Sequence, residues 1–198
     1  MKNLVFLLSF LPSIIIAQTQ EVKPLSVRHL PLTVSLNFNA ISTPFKKLTN
    51  NFRNVGIKIG TEVSWNKRGN LLQSLNIGYY RNKLNGDGIY VNSEFIYRPE
   101  LYKGMRVEFK LGPGISEVFL PTVPWVSDGK GNWKKAANTT PLTFQLHAST
   151  GLYYQEFKIQ DVKISPFVQY EMVGVLNYGN SIPVLPTSFI HVGSRVKF

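Results

Sequence analysis

The chain of 198 residues contains no cysteine. That excludes a disulfide framework, a thiolate metal site and a lipid anchor on cysteine. Acidic residues are few, 11 against 22 lysines and arginines, for a formal net charge of +11. The three histidines, His29, His147 and His191, show no metal-ligand spacing, and neither a metal nor a cofactor is expected. Long hydrophobic runs are also missing. Outside the N-terminus nothing approaches the ~18 consecutive apolar residues of a membrane-crossing helix. If such a chain enters a membrane, it must close into a barrel, because lipid offers no partner to a free sheet edge.

What is present begins with an export signal. Lys2 supplies a positive start, Leu4 to Ile16 an apolar run, and Ala17 a small cleavage residue. The expected organisation is a signal peptide over 1–17, a lead-in over 18–32 and one barrel domain over 33–198. An exported chain does not meet nucleic acid. Its basic balance therefore points to anionic lipid headgroups, such as the lipid A phosphates of lipopolysaccharide.

Eight stretches alternate apolar and polar residues with period two, the pattern of strands with one greasy face. They fall at about 33–40, 55–65, 71–81, 88–98, 104–119, 142–157, 163–177 and from Ile190 to the last residue. Met105, Val107, Phe109 and Leu111 against Arg106, Glu108, Lys110 and Gly112 is the cleanest case. The connections alternate in length. Those at 41–54, 82–87, 120–141 and 178–186 form the longer set, and those at 66–70, 100–103 and 158–162 the shorter. An even strand count with alternating loop lengths is the mark of an up-and-down outer-membrane barrel. The predicted fold is all-β, an eight-stranded antiparallel transmembrane β-barrel in the cell outer membrane with both termini periplasmic. The final aromatic, Phe198, is the expected signal to the barrel-assembly machinery. Gly112-Pro113-Gly114 lacks the sequel of a phosphate loop and predicts a bend or bulge in the fifth strand.

Alternation places Lys58, Glu62, Glu94, Arg98, Arg106, Glu108, Lys110, Glu171 and Arg195 on the inward face. Eight strands leave a lumen just wide enough for side chains to fill. Charges at that density must pair, since an isolated buried charge costs several kcal/mol. The expectation is a salt-bridged plug; the competing reading is a narrow ion path. A soluble lipocalin-like barrel would instead turn its apolar face inward.

His147 and Ser149 sit two apart on one strand face. This pair resembles the His-x-Ser-Asn element of the outer-membrane lipid A deacylases, with Thr150 in place of the Asn. Catalysis would also need an orienting carboxylate, which the local sequence does not offer. The pair faces the interior, away from lipid, and is read as part of the polar filling; the chain is not expected to be an enzyme. Lys46, Lys47 and Arg53 in the first connection, and Lys130, Lys134 and Lys135 in the fifth, could meet lipid A phosphates. Trp125 and Trp133 could anchor at the interface or bind a partner protein.

Three stretches carry a family resemblance. They are Pro44-Phe45-Lys46-Lys47-Leu48 leading to Gly56-Ile57-Lys58-Ile59-Gly60-Thr61-Glu62, then Ile164-Ser165-Pro166-Phe167, then the segment from Gly179 to Pro186. Together they resemble a group of small uncharacterised outer-membrane barrels of Bacteroidota. The resemblance implies the fold and the location and brings no activity with it. The expected role is structural or accessory, through lipopolysaccharide or a larger outer-membrane assembly.

Overall fold

A computed structural model describes residues 30–40, 52, 54–82, 86–119, 125–129, 131–135, 142–155, 157–159, 162–179 and 182–197. The expected signal peptide, most of the lead-in, His29, Lys46, Lys47, Arg53, Lys130 and Phe198 lie outside these residues.

Eight long strands build the molecule: β1 (Leu32–Ala40), β2 (Val55–Ser64), β3 (Leu71–Tyr80), β4 (Asp87–Tyr97), β5 (Met105–Phe119), β6 (Leu142–Tyr154), β7 (Val162–Gly179) and β8 (Ile182–Lys197). Each pairs antiparallel with the next. β8 returns to β1 in a ladder running from Leu32 opposite Val196 to Ala40 opposite Ser188. The sheet is therefore a closed eight-stranded barrel. Every strand has 9 residues or more, and about 9–11 tilted residues cross a bilayer.

The faces follow the period-two pattern. Leu36, Leu75, Leu111, Leu146 and Val192 are 47–57% exposed on the outer wall. Aromatic residues ring both ends of this apolar band. Trp65, Tyr97, Tyr102, Tyr154 and Phe157 stand near the end where β1 begins, and Phe52, Tyr79, Phe119 and Phe144 near the other. A continuous apolar wall is untenable in water and is what lipid tails require. With charged residues inside, it makes this a transmembrane β-barrel.

Four short pieces of strand lie in the connections, among the described residues. Glu100–Tyr102 pairs back on the start of β5 through a turn at Lys103 and Gly104. Phe157–Ile159 pairs with the start of β7. Trp125–Ser127 and Trp133–Lys135 form a separate hairpin inside the fifth connection.

Two expectations need correction. The seventh connection, expected over 178–186, is mostly strand, because β7 runs to Gly179 and β8 starts at Ile182. Pro183 and Pro186 read as loop residues, yet residues 182–187 have only β7 as a described partner, since β1 stops opposite Ser188. Proline is tolerated in a strand where its nitrogen is not asked to donate to a neighbour. At Gly112-Pro113-Gly114, where a bend or bulge is expected, the ladder is interrupted but the register does not change, so there is no bulge. Asn92 faces Gly114 and Phe95 faces Leu111 in the same register, with only the pairs between them missing. A register shift occurs instead in β7, between Leu176 and Gly179.

The candidate functional site is the filled lumen

Of the nine charges expected inside, Lys58, Glu62, Glu94, Arg98, Glu108, Lys110, Glu171 and Arg195 are buried, and Arg106 is half-buried near the terminus-bearing end. They fall into two clusters. Nearer the terminus-bearing end, Glu62 accepts from Nη1 and Nη2 of Arg98 at 3.1 and 2.6 Å and lies 2.9 Å from Arg195 Nε. Glu108 contacts Arg98 Nε, Lys110 Nζ at 3.2 Å and Arg195 Nη2 at 3.1 Å. The two guanidinium groups also lie over the Tyr153 ring, at 4.8 Å for Arg98 and 4.6 Å for Arg195, where the ring's negative face attracts them. Lys110 completes its set by donating to Gln169 Oε1 at 2.8 Å.

The second cluster crosses the middle. Lys58 Nζ sits between Glu94 at 3.5 Å and Glu171 at 3.2 Å. His147 Nδ1 and His191 Nε2 each lie 2.5 Å from an oxygen of Glu171. Asn76 Nδ2 donates to Glu94 Oε2 at 3.0 Å and to Asn92 Oδ1 at 2.8 Å. Glu94 and Glu171 are fully buried, so each of these contacts replaces lost water. Sequence spacing gave no hint that two histidines meet on one carboxylate. Glu94, His147 and Glu171 have donor atoms within 4.8 Å of one another, as a metal cluster would. The Lys58 ammonium bridges both carboxylates and supplies the positive charge a metal would bring.

Beyond this layer the charges give way to an apolar cluster among uncharged polar residues. Tyr80, Tyr90, Val173, Val175 and Phe189 pack together, with Leu185 against them. In the β3–β4 ladder Tyr90 stands opposite Gly78 and Tyr80 opposite Gly88. Each ring lies over the facing glycine so closely that a Cβ there would collide with it. Inward aromatics were not expected, because alternation alone assigns apolar residues to the lipid side. Inward tyrosines opposite glycines were the available signal.

His147 and Ser149 both face the lumen and are buried. A carboxylate does orient the histidine, Glu171, which the local sequence could not reveal. The other ring nitrogen, Nε2, lies 3.1 Å from Gln145 Oε1, and Ser149 Oγ has no hydrogen-bond partner among the described residues. A relay needs base and nucleophile in hydrogen-bond contact, and this geometry does not provide it.

Of the expected loop residues, Trp125, Trp133, Lys134 and Lys135 stand exposed on the hairpin of the fifth connection. Lys135 Nζ lies 5.9 Å from the centre of the Trp125 ring. Asp128 and Asn132 close the hairpin tip through two reciprocal contacts, at 3.0 and 3.1 Å.

No protein-family model and no curated protein matches the chain. Solved structures similar to it include Neisserial surface protein A, at 14% identity over 86% of this chain and 96% of that one, with a TM-score of 0.49. The N-terminal β-barrel domain of Pseudomonas aeruginosa OprF is similar at 13% identity over 85% and 97%, with a TM-score of 0.44. So is Ail, the attachment invasion locus protein of Yersinia pestis, at 12% identity over 86% and 97%, with a TM-score of 0.44.

Proposed function

We propose that this protein is a non-conducting, non-enzymatic barrel of the outer membrane with a structural or accessory role. We place it among the small Bacteroidota barrels its sequence resembles, with both termini periplasmic. The observation that carries the reading is the filled lumen. Lys58, Glu94, Glu171, His147 and His191 bridge it from five strands, and the Tyr80–Tyr90–Phe189 cluster stands beyond them. Ions have no use for such a path, so function falls to the rims. Reconstitution into planar bilayers tests this. No steady conductance is expected, and a stable single-channel level would refute it.

The exposed hairpin around Trp133 supports a role in meeting lipopolysaccharide or a partner barrel. Two tryptophans beside Lys134 and Lys135 combine interfacial anchors with charge for phosphate. Cross-linking in native membranes, with and without Trp133→Ala and Lys134→Ala, tests the partner; a partner retained undiminished by both variants argues against the hairpin. In assembly, the last strand with Phe198 is the segment offered to the barrel-assembly machinery. As a check on the non-enzymatic reading, Ser149→Ala is expected to leave the lipid A acyl pattern unchanged by mass spectrometry.

A further inference from the structure

The end of the barrel where β1 begins and β8 finishes opens into a cavity of about 320 Å³. Arg98, Arg106, Lys163, Arg195 and Lys197 line it, against one carboxylate, Glu62. Lys163 and Lys197 are direct cross-strand partners, a placement in which like charges repel. Glu62 is already engaged by Arg98 and Arg195. Glu108, deeper inside, is shared by Arg98, Lys110 and Arg195. Two buried guanidinium nitrogens have no hydrogen-bond partner among the described residues, Nε of Arg106 and Nη1 of Arg195. Arg195 is only 5% exposed, so water is a poor substitute for the missing acceptor. A buried donor without an acceptor is costly, and among the described residues more guanidinium and ammonium groups than carboxylates line this mouth.

We propose that this mouth binds a phosphate monoester, held by Arg106 and Arg195 with Lys197 adding charge. Among the described residues Arg98, Arg106, Arg195 and Lys197 face a single lining carboxylate, Glu62, a balance that calls for a dianion rather than a single carboxylate. Guanidinium forks match phosphate oxygens in pairs. The volume lies at the lower end of the ~300–1,000 Å³ typical of small-molecule pockets, enough for a phosphate with a small organic group. The same chemistry is offered by a soluble phosphate monoester and by a lipid whose headgroup ends in phosphate.

The test uses the barrel refolded in nonionic detergent. Glycerol 3-phosphate is titrated by calorimetry. Phosphatidic acid, with phosphatidylcholine as control, is added before native mass spectrometry. Saturable binding is expected in at least one arm and none with sodium chloride at matched ionic strength. Binding of glycerol 3-phosphate alone identifies a soluble ligand; selective retention of phosphatidic acid identifies a lipid one. Arg106 makes no ion pair among the described residues, so Arg106→Ala with Lys197→Ala should keep the unfolding midpoint and weaken binding at least tenfold. If that double variant does not fold, Lys197→Gln alone, at an exposed position, should weaken binding about threefold by loss of one charge contact. Absence of binding in both arms, or binding undiminished by the substitutions, overturns the proposal.

Discussion

The two halves of the lumen solve one filling problem with different chemistry. Towards the terminus-bearing end, two carboxylates, Glu62 and Glu108, are shared by Arg98, Arg195 and Lys110. Towards the other end, Tyr80, Tyr90, Val173, Val175 and Phe189 pack into an apolar cluster, with uncharged polar pairs such as Asn39–Asn82 and Ser116–Thr143 also buried. The charged half depends on the count of acceptors: take one away and several donors are stranded together. The apolar cluster depends on shape, so it should feel a misplaced methyl at Gly78 and ignore the loss of the Tyr90 hydroxyl.

The sharpest break of this contrast is Glu108→Ala. It leaves Arg98 and Arg195 with Glu62 alone and Lys110 with Gln169 as its one described acceptor, and breaking such pairs costs about 3–5 kcal/mol. The refolded barrel should show a much lower urea midpoint in micelles, or fail to refold. Gly78→Ala tests the other half. The new methyl meets the Tyr90 ring, and overpacking of this kind costs about 1–3 kcal/mol. In a Tyr90→Leu background the same substitution should cost clearly less, since the flat ring that excludes the methyl is gone; equal costs in both backgrounds would argue against the ring-on-glycine contact. The smallest effect is expected for Tyr90→Phe. The hydroxyl is buried without a hydrogen-bond partner, so its removal should change stability by no more than about 0.5 kcal/mol. A large loss of stability would mean that the apolar half relies on a polar contact after all.

Much of this was legible in the sequence, for a definite reason. Strand side chains alternate with period two, so Arg106, Glu108 and Lys110 announce a face as soon as Val107 and Phe109 announce the other. What alternation does not encode is which inward residues meet across the lumen. That depends on the stagger between strands, fixed only when β8 pairs with β1. Glu171 and His147 are 24 positions apart, and Lys58 and Glu171 are 113 apart; no local spacing predicts either contact. The inward aromatics were missed because a tyrosine on a strand suits a lipid-facing girdle equally well. The extended seventh hairpin is hidden from sequence reading because Pro183 and Pro186 ordinarily signal a loop rather than a strand.

Glu171 on β7 is held by Lys58 of β2 and by histidines of β6 and β8. Lys58 can reach it only when the first and last strands have joined. Before that moment an inserted but open sheet would turn unneutralised ions towards hydrocarbon. Seam formation and entry into the bilayer are thereby coupled: the molecule becomes comfortable in oil only at the step that makes it a ring.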